Sequence, residues 1–439
     1  MKTDRFSGKL WFQAIFFGLI GQIAWVVENM YFATLCQDIY GNAGRPDLSY
    51  IVTTLMVILS AVTATVTTFA AGAASDRRGR RKPFIAIGYI LWGFTIMIFA
   101  LLPMKPDTGM LFWTGLMLVA FDCIMTVAGS TGNDAAFNAW VTDHTNPGNR
   151  GKVNAVLSML PVFAVVVVFI GLGGFYNAQN ESNALFFIIL GLIPTLAGIL
   201  ALFTLKDSDS IRPSGNPASL KDTLYGFRRD VIRQNRMMYI CLAAYCLIAV
   251  SQQTFFSYLI NFMIKTLGYG DAFVIPMAVV IVGAAVVTGV LGILYDRLGR
   301  KHFFLPLTLL AAAGTLSFYL LGSLPAGARD AVVYIGGIIM MGAILSLTGA
   351  LQSAFQDYIP EGCEGRFQGI RMCFTVLIPM ILGPVISLLI GLDAMGINGE
   401  DFAPTYEIFL AAAIVALLAL IPMYFVRRDD RRLRESKGN

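Results

Sequence analysis

Charged residues are scarce in this chain: only 13% of its 439 residues are Asp, Glu, Lys or Arg. Histidine occurs twice, at His144 and His302, and neither has Cys or carboxylate neighbours at the spacing of a metal site. The six cysteines are scattered without redox spacing, and no glycine-rich phosphate loop occurs. Because no nucleophile, acid–base pair or metal cluster is present, the sequence predicts no enzyme, no metal and no cofactor.

Hydrophobic residues, in contrast, make up 56% of the chain, and the mean hydropathy is +0.69. A helix needs about 20 apolar residues to cross a bilayer. Runs of this kind number about twelve and lie near 11–36, 49–74, 84–103, 110–141, 153–174, 184–205, 237–264, 272–294, 303–324, 330–358, 367–391 and 405–426. They are continuous, whereas the strands of a membrane barrel alternate. We therefore predict an all-α polytopic membrane protein with twelve transmembrane helices.

The basic residues are distributed unevenly along the chain, whose net charge is +5. If the amino terminus is cytoplasmic, every Lys and Arg except Arg45, Lys105, Lys265 and Arg329 falls on the cytoplasmic face. This is the positive-inside pattern, which orients membrane helices. It predicts cytoplasmic termini in a cell membrane, expected to be a bacterial inner membrane, with lipid and not nucleic acid as the partner of the charged surface.

Two sequence patterns occur once in each half of the chain. The segment GAASDRRGRRK at 72–82 returns as GILYDRLGRK at 292–301, and AFNAWVTD at 136–143 matches AFQDYIPE at 354–361. Two matches at nearly the same offset indicate a duplicated unit, as in many transporters.

The duplication predicts a six-helix bundle at 1–204, a cytoplasmic linker at 205–236, and a second six-helix bundle with a short basic tail at 237–439. The linker has two parts: prolines and glycine break its beginning, whereas 219–233 could form an amphipathic helix on the inner leaflet. We interpret it as a tether, with a regulatory role as the alternative.

Both copies of G-x-x-x-D-R-x-G-R-[RK] resemble the loop motif of the major facilitator superfamily, and the resemblance covers the whole chain. It implies two six-helix bundles around a central cavity that opens to each side of the membrane in turn. It also implies a conformational latch, because charge pairs at helix ends can hold one arrangement and release another. The latch residues are expected to be Gly72, Asp76, Arg77, Gly79, Arg80, Gly292, Asp296, Arg297, Gly299 and Arg300. The alternative is that these arginines only fix the topology.

Within the superfamily, the segment 75–85 and the fourth span, with Asp134, resemble the glycoside–pentoside–hexuronide symporters and the related sucrose-transporter-like proteins. The sodium-coupled members carry two carboxylates on the second span, which would fall here at Ser60 and Ala64. The eleventh span also lacks their lysine, and Pro379 lies near that place. The expected coupling ion is therefore a proton, with sodium as the alternative.

Three carboxylates lie well inside predicted spans, away from the span ends: Glu28, Asp122 and Asp134. Each costs about 2.5–3.5 kcal/mol at mid-bilayer unless it faces water or a partner. Each is therefore a candidate for function, although nothing in the sequence tells which way Asp122 points. We hypothesise that Glu28 or Asp134 carries the coupling proton.

A solute with apolar C–H faces and a rim of hydroxyls, such as a sugar, needs an aromatic ring beside hydrogen-bonding groups. Three- and four-residue spacing places such groups on one face of a span. On the first span these groups are Gln22, Trp25, Glu28 and Asn29, and on its counterpart, the seventh span, they are Gln253, Phe256, Ser257 and Asn261. The alternative is a polar contact between membrane helices.

The fourth and tenth spans add a second pair of polar stripes. The fourth carries Thr131, Asp134 and Asn138, and the tenth carries Gln352 and Gln356. The acid on one span and the amides on the other predict that one half handles the ion while both halves hold the solute.

Arg371, near the start of the eleventh span, has three possible roles. It could extend to the membrane surface, pair with a carboxylate, or bind an anionic solute such as a uronic acid.

These features together predict a secondary transporter that imports a sugar, glycoside or related polar small molecule by proton symport, and that is a monomer. Two alternatives remain. One is an exporter of amphipathic compounds or lipids on the same fold, and the other is a solute sensor without transport.

Overall fold

The computed structural model describes residues 6–145, 153, 156–157, 159–177, 182–208, 227–298, 302–358, 370–398 and 403–437. These ranges contain helices and no strand, which confirms the predicted all-α class. Eleven of the described helices are long and apolar enough to cross a membrane. The chain is therefore a multi-pass membrane protein.

The chain divides into two compact units, Met1–Ala218 and Ser219–Asn439. The helices of the first unit are α1 (Gly8–Asn42), α2 (Pro46–Arg78), α3 (Lys82–Ile98), α4 (Leu111–His144), α5 (160–172) and α6 (Ala184–Thr204). In the second unit they are α7 (Arg236–Phe256), α8 (Val274–Leu298), α9 (Phe304–Leu320), α10 (Ala326–Tyr358), α11 (370–398) and α12 (407–437). The short helix Arg229–Gln234 precedes α7.

The helices pair in the same way within each unit. In the first unit α1 packs on α5, α2 on α4, and α3 on α6. In the second unit the corresponding pairs are α7 with α11, α8 with α10, and α9 with α12. The internal repeat in the sequence therefore has a counterpart in the packing of both units.

Glycines allow the closest of these helix contacts. A Cβ added to Gly88 on α3 would lie 2.6 Å from the Cα of Gly132 on α4, and one added to Gly93 would lie 2.2 Å from the Gly191 carbonyl oxygen on α6. Small residues that let backbones approach are typical of membrane helix contacts. Facing outward, large apolar side chains such as Phe94, Leu196 and Ile275 are exposed, as expected of surfaces in lipid.

The basic motif ends α2 with a glycine turn. Gly79 has a φ of 59°, which is unfavourable for residues with a Cβ. The Arg80 amide donates to the Ser75 carbonyl at 3.3 Å, the long hydrogen bond of a Schellman cap. Two residues later α3 begins, and Asp207 Oδ1 accepts from the amides of Arg81 and Lys82, both at 2.8 Å. This carboxylate caps the positive end of α3.

Candidate functional site

Two of the three candidate acids, Glu28 and Asp134, lie in π-helical segments. Glu28 and Asn29 are in the segment Val27–Tyr31 of α1, and Thr131 and Asp134 are in Ser130–Phe137 of α4. A π-segment widens the helix by an extra residue and is frequent at functional sites. Hydrophobic periodicity gives no indication of these segments, because the flanking residues continue the same apolar pattern.

Glu28 is contacted by hydroxyl groups from two other helices. Ser60 on α2 donates to Glu28 Oε1 at 2.5 Å, and Thr126 on α4 lies 3.4 Å from the same oxygen. Glu28 Oε2 is buried and has no hydrogen-bond partner among the described residues. The Glu28 carboxyl is thus enclosed by α1, α2 and α4. One of its oxygens is hydrogen-bonded, and the other has no partner among the described residues.

Asp122, whose direction the sequence leaves open, points into the first unit. It is 2% exposed, and its Oδ1 has no hydrogen-bond partner within the described part of the chain. It interacts electrostatically with Glu28. The structure therefore brings together two acids that are 94 positions apart in the sequence.

A chain of hydrogen bonds holds Trp25 in place. Its Nε1 donates to Asn133 Oδ1 at 3.4 Å, Asn133 Nδ2 donates to the Tyr89 hydroxyl at 2.7 Å, and that hydroxyl donates to the Phe17 carbonyl at 2.8 Å. The Trp25 ring also lies 4.8 Å from the ring of Trp92, centroid to centroid. Trp25 remains half-buried, so one part of the ring is fixed by α3 and α4 while another part is accessible.

The other predicted residues of the first unit lie around this group. Gln22, Asn29 and Thr131 are half-buried, and Asn29 Nδ2 donates to the Trp25 carbonyl at 2.7 Å. Asp134 is half-buried and accepts from Ser130 Oγ at 3.0 Å. Asn138 is exposed, and its Nδ2 donates to the Asp134 carbonyl at 3.2 Å.

The polar stripe predicted on α7 is interrupted. The helix ends at Phe256, resumes over Leu259–Asn261, and continues as the π-segment Phe262–Thr266. Gln253 and Phe256, before the interruption, are half-buried, whereas Ser257 and Asn261 are buried. The four-residue spacing of Gln253, Ser257 and Asn261 therefore does not run along one unbroken helix, and their part in solute binding stays a prediction.

The second unit brings Arg371 and Gln352 together. Arg371 Nη1 donates to Gln352 Oε1 at 3.5 Å, and Tyr245 on α7 lies within electrostatic range of the guanidinium. Arg371 lies two residues before the π-segment Cys373–Leu377 of α11. A guanidinium that contacts α10 favours a role within the unit over extension to the membrane surface. The side chain of Gln356 lies outside the described residues.

Among the described residues of the basic motif, the arginine that forms an ion pair is Arg81 and not the predicted Arg77 or Arg80. Arg77 and Arg80 are exposed, Gly72 is half-buried, and neither arginine has an ion pair within the described ranges. Instead Arg81 is buried: its Nε donates to Asp143 Oδ2 on α4 at 3.0 Å, and its Nη1 donates to Ser75. Gly299 and Arg300 lie outside the described residues, as do the side-chain environments of Asp76, Gly292, Asp296 and Arg297.

Sequence reasoning missed Ser60, Thr126, Asn133 and Arg81. Two of them had a signal: Ser60 is the position at which the sodium-coupled relatives are expected to carry an acid, and Arg81 belongs to the basic motif. Thr126 and Asn133 had no such signal in the sequence, because each becomes important only through a contact with a residue of another helix, α1.

The polytopic helical fold turns acids and amides into its units, and such polar groups in membrane helices are typical of solute or ion pathways. The family model of the major facilitator superfamily matches residues 10–384, so the chain belongs to this superfamily and is a transporter and not an enzyme. A search of proteins of curated function finds no match.

Solved structures with the same fold include transporters of several solutes. A D-xylose–proton symporter has a TM-score of 0.72 at 15% identity, with 94% of this chain and 97% of that chain covered. A mutant of the nucleoside transporter NupG has a TM-score of 0.68 at 13% identity, with 95% of this chain and 99% of that chain covered. A bacterial homologue of the human lysosomal transporter Spinster has a TM-score of 0.68 at 14% identity, with 95% of this chain and 96% of that chain covered. At these identities the likeness shows the fold alone.

Proposed function

We propose that this transporter is a proton-coupled symporter of a sugar, glycoside or related polar solute, of the glycoside–pentoside–hexuronide or sucrose-transporter-like branch. It works as a monomer in a cell membrane, with both termini in the cytoplasm. The observation that carries the proposal is Glu28, an acid in a π-segment of a membrane helix, held by the Ser60 hydroxyl through one oxygen only.

The surroundings of Glu28 suit a proton better than a fixed structural charge. An ionised carboxylate in an apolar interior needs several donors or a cation, and without them it favours the neutral form. Ser60 and Thr126 supply hydroxyl groups, and no Lys or Arg pairs with Glu28 among the described residues. A side chain with these neighbours can bind a proton and release it as its surroundings change.

Solute recognition is assigned to the groups beside this acid. The fixed but accessible Trp25 supplies an aromatic face one helical turn from Glu28 and Asn29. The second unit carries its own candidates, the amides Gln253 and Gln352 and the cation Arg371. An aromatic face with an amide and an acid beside it, as in the first unit, suits a hydroxyl-rich solute.

The test is uptake of radiolabelled sugars and glycosides, D-xylose and melibiose among them, into proteoliposomes under an imposed proton or sodium gradient. The proposal expects accumulation of at least one sugar, driven by the proton gradient and abolished by a protonophore. Accumulation driven by sodium alone, or no sugar transport together with efflux of a hydrophobic cation, contradicts it. The second result would instead support an exporter of amphipathic compounds.

A further inference from the structure

The buried acid Asp122 has no part in the mechanism described so far. It lies on α4 four residues before Thr126, so the two side chains occupy one face of that helix. Thr126 is the residue that reaches Glu28 Oε1, at 3.4 Å. Asp122 therefore lies one turn along the same surface, which faces α1 and α2.

The hydroxyl protons of this cluster can be assigned. Each hydroxyl donates one hydrogen bond. Ser60 uses its proton on Glu28 Oε1 at 2.5 Å, and Thr126 uses its own on the Asp122 carbonyl at 2.8 Å. The two hydroxyl oxygens are 3.0 Å apart, so the groups form one connected cluster. After this assignment Glu28 Oε2 and Asp122 Oδ1 are both buried and without a hydrogen-bond partner among the described residues.

Two buried carboxyls that interact cannot both be charged without strong repulsion, so such pairs hold protons jointly. Among the residues that the structure describes, the other titratable groups that interact with Glu28 or Asp122 are Cys123 and Asp134, both on α4. From α2 the described contact is the neutral hydroxyl of Ser60. Within the described residues no basic side chain forms an ion pair with either acid.

We propose that Glu28 and Asp122 form one two-carboxyl proton site, in which Asp122 is the buried member. The pair loses one proton at a time: an O–H bond of one carboxyl breaks, the proton passes to solvent water, and a single carboxylate remains beside a neutral acid. The charge rests on Glu28, which has the Ser60 hydroxyl as a donor, while Asp122 keeps its proton. The inference rests on the proton-coupled transport proposed above and adds a residue to its coupling site.

The test is infrared difference spectroscopy of the purified full chain in lipid, between acidic and alkaline pH, with the proton as the only ligand. In the wild type we expect two components in the carbonyl band of protonated carboxyls. The Glu28 band disappears at alkaline pH because Glu28 ionises. The Asp122 band remains but shifts in frequency, because Asp122 stays protonated beside the new charge. Asp122→Asn is expected to abolish the shifted band, and Glu28→Gln is expected to abolish the band that disappears. Asp107→Asn, which changes an exposed acid before α4, serves as the control and leaves both unchanged.

A spectrum of Asp122→Asn identical to that of the wild type overturns the proposal. If Asp122→Asn does not fold, Asp122→Glu serves instead. Its longer side chain is expected to change the frequency of the band assigned to Asp122, and an unchanged band would overturn the proposed carboxyl pair. The spectrum needs no solute. Failure of proton-driven sugar uptake therefore refutes the proposed function separately from the existence of the carboxyl pair.

Discussion

The two units share their helix pairing but not their charges. In the first unit α1 and α4 carry the acids Glu28, Asp122 and Asp134, whereas the candidate residues of the corresponding helices α7 and α10 include the amides Gln253 and Gln352 and no acid. The membrane cation of the second unit, Arg371, lies on α11. One scaffold thus supports an acidic unit and an amide-and-cation unit. The fold sets which helices touch, and a few polar substitutions decide which unit carries the acids.

The largest effect is expected from removing the acid of α1. Glu28→Gln keeps the shape of the side chain and its contact with Ser60 but cannot gain or lose a proton. We expect proton-driven accumulation to fall roughly a hundredfold, near the upper range of coupling free energies between two ligands. Measurement is by uptake into proteoliposomes under a proton gradient. The matched control, Gln253→Glu, adds an acid to the counterpart helix and should not restore coupling in Glu28→Gln; restoration would show that the units are interchangeable.

The next effect is expected at the ion pair between α3 and α4. The side chains of Arg81 and Asp143 are only 9% and 22% exposed. Breaking a buried pair costs about 3–5 kcal/mol, and partial exposure reduces this to about 2 kcal/mol. Arg81→Gln should therefore lower the thermal unfolding temperature in detergent, whereas Arg80→Gln, at an exposed arginine, should change the free energy of unfolding by under about 0.5 kcal/mol.

The repeat extends this test to the second unit. The sequence match aligns Lys301 with Arg81 and Glu361 with Asp143. Comparing Arg81→Gln with Lys301→Gln measures whether both copies use the pair. Equal destabilisation by Arg80→Gln and Arg81→Gln would contradict the assignment of Arg81.

A smaller effect is expected from the residue that orients Trp25. Asn133→Leu removes the hydrogen bonds to Trp25 and Tyr89; the Tyr89 hydroxyl keeps its bond to the Phe17 carbonyl, but Trp25 Nε1 loses its acceptor, which costs about 1–3 kcal/mol. The KM for the sugar should rise more than the maximal rate falls, because the aromatic face is misplaced. Trp fluorescence provides an independent measurement of its environment. Asn138→Leu, at an exposed position of the same helix, is the control, and a similar rise in KM there would count against a special role for Asn133.

The smallest effect is expected at Arg371. Its contact with Gln352 is long, at 3.5 Å, so Arg371→Gln should reduce sugar uptake only about fivefold, at the low end of coupling effects. Arg371→Lys keeps the charge but loses the planar fork of donors and should recover part of the activity. Unchanged uptake in Arg371→Gln would remove the second unit's cation from the solute site.

The helical class followed from sequence because hydropathy and charge act over whole spans. The π-segments at Glu28 and Asp134 and the break of α7 at Ser257 did not, since they depend on local packing that hydropathy does not record. Glu28 was predictable as a costly buried acid. Ser60 and Thr126 were not, because a hydroxyl becomes important only through its neighbour. Arg77 and Arg81 belong to one basic run, four positions apart on either side of the turn at Gly79, and that turn determines which of them points inward.

The most direct test of the account is proton movement caused by the solute itself. A pH-sensitive dye outside wild-type proteoliposomes, clamped at zero membrane potential, is followed after addition of the sugar that the uptake panel selects. We predict alkalinisation outside as protons enter with the sugar, and no change in Glu28→Gln vesicles containing the same amount of folded protein. Sugar entry without alkalinisation in the wild type, or equal alkalinisation in Glu28→Gln, would contradict the assignment of proton coupling to the acidic first unit.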